Sequence, residues 1–107
     1  MRHEGGMSRF SVTLEPEWLY TEGLKQNLLG AVIEKEGLHY NESKDFQPGI
    51  KRDYHAETRE MIAGEIFRRV HPEGKTMGEY LREDFGPTYG LDGIIIGMKK
   101  EEIAARK

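Results

Sequence analysis

The residues best placed to do chemistry lie between positions 51 and 59, where Lys51, Arg52, Asp53, Tyr54, His55 and Arg59 gather cations and an imidazole in one short stretch. His55 and Arg59 are four residues apart, a spacing that puts two side chains on one helix face. With Arg52 just ahead and the unbonded N–H groups of a helix start beneath them, they suit a phosphate or carboxylate ligand. The same residues also suit a solvated helix start whose charges pair with Asp53 or Glu60. His39 and Tyr40, in an aperiodic stretch upstream, are the remaining candidates for ligand binding.

No catalytic residue can be assigned from spacing. The histidines at 3, 39, 55 and 71 form neither an H-x-H nor an HExxH pattern. A metal would need folding to bring His39 and His55 together beside Glu42 or Asp45, so neither metal nor cofactor is expected. The chain has no cysteine, which excludes thiolate nucleophiles, thiolate metal sites and disulfides. No serine lies in a G-x-S-x-G turn. Gly86, Gly90 and Gly93 follow a helix and precede a strand-like run, the reverse of a phosphate cradle, and read as a turn.

The elements that would carry these residues follow from periodicity. Residues 9–14 alternate polar and apolar, with Phe10, Val12 and Leu14 on one face, so a strand is predicted over about 8–14. From Pro16 to about Glu36 the spacing turns helical: Leu24, Leu28 and Val32 form a row with Leu29 and Ile33 beside it, and Gly37 follows as a cap. Gly23 and Gly30 inside this helix mark either close packing or a break near Gly23. Residues 38–51 show no periodicity and read as a long, functional or mobile loop.

A second helix is predicted over about 53–70, with Ile62, Ile66 and Val70 as its core row and Ala63 and Phe67 flanking. Glu57, Glu60, Glu65 and Arg68 would face out, Glu65 and Arg69 forming a surface pair. His71 to Gly74 is a turn, and Thr76 with Glu79 makes a capping box that opens a short helix over 76–85. Gly86 and Pro87 end it. An isoleucine-rich strand is predicted over 91–98, then a charged, helix-prone tail. The expected architecture is α+β: two or three strands packed on these helices in one domain, 8–107, behind a disordered leader, 1–7.

Residues 7–18, with Arg9, Ser11 and Thr13 on one face of the first strand and Trp18 closing the run, resemble the start of a ribbon-helix-helix repressor. Residues 35–43 resemble that family's turn into its second helix. The resemblance implies a dimer whose paired strands read the DNA major groove with Arg9, Ser11 and Thr13. The chain departs from the family in a longer first helix and in Pro48 and Gly49, which interrupt the place of the second.

A net charge of −3 opposes non-specific nucleic-acid binding, which draws on surplus positive charge. The longest apolar run, Ile94, Ile95 and Ile96, is far short of a membrane helix, and a cytoplasmic location is expected. Two strands make a marginal sheet, so self-association is expected to complete it. Composition and pattern together predict a small non-enzymatic binding or regulatory protein, acting as a homo-oligomer with a protein partner. The alternatives are a ribbon-helix-helix-like DNA-binding regulator and a small enzyme or binder of an anionic metabolite.

Overall fold

The computed structural model describes residues 10, 12–42, 54, 57–91, 93–97 and 100–105, with side chains throughout except at 38–42 and 100. Among the described residues every regular element is helical. The predicted α+β architecture is therefore corrected to an all-helical one. Val12, Thr13 and Leu14 do not form a strand; Arg9, Ser11 and the leader 1–7 lie outside the described residues. Of residues 91–98, the described ones form no strand: Gly93 is in a turn, Ile96 and Gly97 in a bend, and Gly97 sits at φ 71, a conformation that ends any extended run. Alternation and β-branching favour extended backbone, but a strand also needs a neighbour to take its N–H and C=O groups. No such neighbour exists among the described residues.

The chain opens on a 3-10 turn, Pro16–Leu19, with Pro16 in the first turn as its missing N–H permits. Helix α1, Thr21–Lys25, folds back on that turn so tightly that a Cβ on Gly23 would strike the Glu17 carbonyl oxygen. Close packing, rather than a break, explains this glycine. The break falls at Asn27, whose φ of 62 is left-handed. Asn27 thus ends α1 as a glycine would, and its carbonyl accepts the first bond of α2 from the Ala31 N–H at 2.9 Å.

Helix α2, Leu28–Glu42, runs past Gly37 and through five residues of the predicted 38–51 loop. Gly37 is an interior helical residue, not a cap. Residues 43–50 lie outside the description. Helix α3, Thr58–Val70, is the second long element and packs against α2. The His71 turn follows, closed by a bond from the Gly74 N–H to the His71 carbonyl at 2.9 Å with Gly74 at φ 64.

Helix α4, Met77–Tyr80, begins with the predicted capping box: the Glu79 N–H donates to Thr76 Oγ1 at 3.2 Å, and the Thr76 N–H donates to Glu79 Oε2 at 2.9 Å. Contrary to expectation, Gly86 and Pro87 do not end this helix. The backbone widens into a π turn over Leu81–Phe85 and continues as α5, Gly86–Tyr89. The widening shifts the register, so that the Gly86 N–H reaches the Leu81 carbonyl and Pro87 enters without the clash it makes inside a regular α-helix. Gly86 is required there, because a Cβ would stand 2.6 Å from the Leu81 carbonyl oxygen. Gly90, at φ 66, ends the helix, and the Leu91 N–H closes back on the Gly86 carbonyl at 2.9 Å. A last helix, α6, covers Lys100–Ala105.

The α3 to α5 corner is held by aromatic rings. Phe67, His71 and Tyr80 form a mutual cluster with centroids 5.4–5.6 Å apart, and Tyr80 leads through Phe85 to Tyr89. His71 Nδ1 accepts from the Glu73 N–H at 3.2 Å, which leaves the other ring nitrogen to carry the proton in the neutral form. Arg82 ties the C-terminal segment to this corner with 3.1 Å bonds to both Glu102 carboxylate oxygens and a 3.2 Å bond to the Gly97 carbonyl. Gly78 lets the Ile96 carbonyl approach to where a Cβ would stand 2.5 Å away. No described helix is long and apolar enough to cross a membrane.

Candidate functional site

Helix α3 is turned so that part of its charged side faces inward. Glu65, predicted to face solvent, is 5% exposed, whereas Ile66 and Val70, predicted as core, are 57% and 73% exposed. The periodicity was legible and its orientation only in part: Ile62, Ala63 and Phe67 of the predicted apolar face are half-buried, whereas Ile66 and Val70 look out. Leu29, at 2%, is the one buried hydrophobic residue among those described. Leu28, placed in the core row of α2, is exposed as well.

The inward face is a polar node around Asn27. Arg68 donates from Nε and Nη2 to the two Glu65 oxygens at 3.1 and 2.8 Å, and from Nη2 to Asn27 Oδ1 at 2.9 Å. Arg69 reaches the same Asn27 oxygen at 2.8 Å, Glu34 Oε1 at 2.6 Å and Glu65 Oε2 at 3.7 Å. The predicted Glu65–Arg69 surface pair is therefore the edge of a largely buried network. The Glu65 hydrogen bond also holds the Arg68 guanidinium above its usual range. Gly30 makes the node possible, since a Cβ there would collide with Asn27 Oδ1 and crowd Glu65 Oε2 and Arg69 Nη2.

These partners bond to one another in closed order, each guanidinium to a carboxylate and to the Asn27 oxygen. Such a node fixes how α2 and α3 cross. It also determines what faces outward. With Glu65, Arg68 and Arg69 turned towards α2, α3 leaves Ile66 and Val70 exposed on its flank, with Ile62 a turn earlier and half-buried. Ile66 and Val70 lie one turn apart and expose apolar surface side by side. This stripe is the candidate site.

The ligand-binding residues predicted from sequence are not brought together among the described residues. Arg52 and His55 lie outside them. His39 and Tyr40 stand on α2 rather than in a loop, and their side chains are not described. Arg59 is in the first turn of α3, exposed, and its guanidinium pairs with Glu60, with Nε 2.7 Å from Oε1.

A cleft between the π turn, α5 and residues 94–96 holds about 180 Å³. Ligand pockets enclose roughly 300–1,000 Å³, so it is small for a metabolite. Its two charged lining residues, Arg82 and Glu102, are bonded to each other. The chain matches no protein-family model, no curated protein and no solved structure.

Proposed function

We propose that the protein is a non-enzymatic binding and regulatory protein that acts as a homo-oligomer and engages a protein partner. The observation that carries this reading is the exposure of Ile66 and Val70 on a helix whose charged side is committed to its own fold. Burying such a stripe against another chain would recover apolar surface at about 25 cal/mol per Å². A second apolar group, Tyr89, Ile94 and Ile96, is also exposed and leaves surface for a partner once α3 is covered.

Multi-angle light scattering across micromolar concentrations tests the self-association. A mass at least twice 12.3 kDa is expected, and a constant 12.3 kDa contradicts the reading.

A further inference from the structure

We propose that the cleft beside the π turn binds a small carboxylate with a short apolar tail, and that Glu102 of α6 fills the carboxylate position as the chain's own stand-in. The site is separate from α3 and does not depend on self-association.

Arg82 belongs to the π turn and lines the cleft together with Leu81, Pro87, Leu91 and Ile95. A guanidinium set in an apolar wall is the pairing of groups that a carboxylate with a hydrocarbon tail requires. This guanidinium already holds a carboxylate. Its Nε and Nη2 each donate to one Glu102 oxygen at 3.1 Å, a two-bond fork, and Nη2 also reaches the Gly97 carbonyl at 3.2 Å. A soluble carboxylate making the same two bonds would stand at the cleft wall, with the apolar side chains beside its tail.

Glu102 is a replaceable occupant. It lies twenty residues from Arg82 in sequence, on a helix of six residues, too short to hold its shape unaided. Among the described side chains of α6, Glu102 is drawn inward while Glu101, Ile103, Ala104 and Ala105 are exposed. Arg82 and Glu102 are themselves 29% and 30% exposed, and a pair so open to water adds little to stability. A ligand in solution can therefore compete with it.

The volume of the cleft limits the tail. Its 180 Å³ is little more than an apolar cavity of about 150 Å³ that takes a single benzene ring. A tail of about four to six carbons fits, and a nucleotide or a sugar phosphate does not.

Isovalerate is the probe, with acetate as the control that lacks the tail and isovaleramide as the control that lacks the charge. Each is titrated into the isotope-labelled full chain while the amide resonances of Gly78, Gly86 and Gly97 and the Arg82 Nε–H are followed. Isovalerate should shift them saturably, and both controls should bind at least about tenfold more weakly. Glu102→Gln removes the competing charge without altering the apolar wall, and should tighten isovalerate binding by roughly three- to tenfold. Absence of saturable shifts in Glu102→Gln, or equal binding of isovaleramide, would overturn the site. Equal affinity of Glu102→Gln and the unaltered chain for isovalerate would overturn the role given to Glu102.

Discussion

Asn27 and Arg68, forty-one residues apart, are joined by a 2.9 Å hydrogen bond from the guanidinium to the amide oxygen. The same asparagine holds the left-handed backbone that separates α1 from α2. One residue therefore serves both as a local chain break and as an acceptor for two arginines of α3. Without the break, its side chain would not reach α3 at that angle. Without the arginines, a non-glycine residue would gain little from this conformation.

Replacing Asn27 separates the two contributions. Asn27→Ala loses the acceptor and keeps the strained backbone, and is expected to destabilise the fold by about 2–4 kcal/mol. Asn27→Gly loses the acceptor but relieves the backbone, and should recover about 1 kcal/mol of that loss. Urea denaturation at fixed protein concentration checks both, because self-association makes apparent stability depend on concentration.

Two glycines of α2 give opposite expectations. Gly30→Ala places a methyl group inside the node and should cost about 1–3 kcal/mol despite alanine's better helix propensity. Gly37 has open space where a Cβ would go, so Gly37→Ala should stabilise by about 0.5–1 kcal/mol. Thermal melts of the two variants provide the comparison, and equal effects of one sign would contradict the packing described for Gly30.

Stability should fall at both ends of the pH range. Burial pushes the Glu79 carboxyl up, but bonds from Lys25 and from the Thr76 N–H and hydroxyl outweigh it and hold the group below its ordinary 4.5. That contribution is complete above 4.5 and is lost as pH drops through the lower folded value. Hydrogen bonds to Glu79 and Asp84 respectively raise Lys25 and Lys75 above 10.5. Their contribution is complete below 10.5 and is lost as pH rises through the folded values. Urea titrations across pH should show both limbs, with Glu79→Gln flattening the acid limb and Lys75→Met the alkaline one.

Features that depend on neighbours in sequence were legible, and those that depend on distant partners were not. The Thr76–Glu79 capping box and the His71–Gly74 turn are settled within four residues, and both form as predicted. Gly86 and Pro87 were misread because a proline normally stops a helix; the π turn that admits it leaves no mark in hydrophobic spacing. Gly37 resembled a cap, yet the helix continues through it. The spacing of Ile62, Ile66 and Val70 identified α3, but periodicity gives a face and not its direction. The direction was decided by Asn27, Gly30 and Glu34 on another element. Of the predicted ligand residues, only the Arg59 side chain is described, and its pairing with Glu60 was one of the alternatives that the sequence offered.

The central claim is that α3 presents Ile66 and Val70 to solvent or to another chain rather than to its own core. The most direct test is the double variant Ile66→Asp and Val70→Asp, followed by circular dichroism and light scattering on the same sample. The account predicts an intact helical spectrum together with a mass of 12.3 kDa, reduced from the oligomer of the unaltered chain. Loss of the helical spectrum would contradict it, because two aspartates would then have been driven into the core that the sequence pattern alone assigned to these positions.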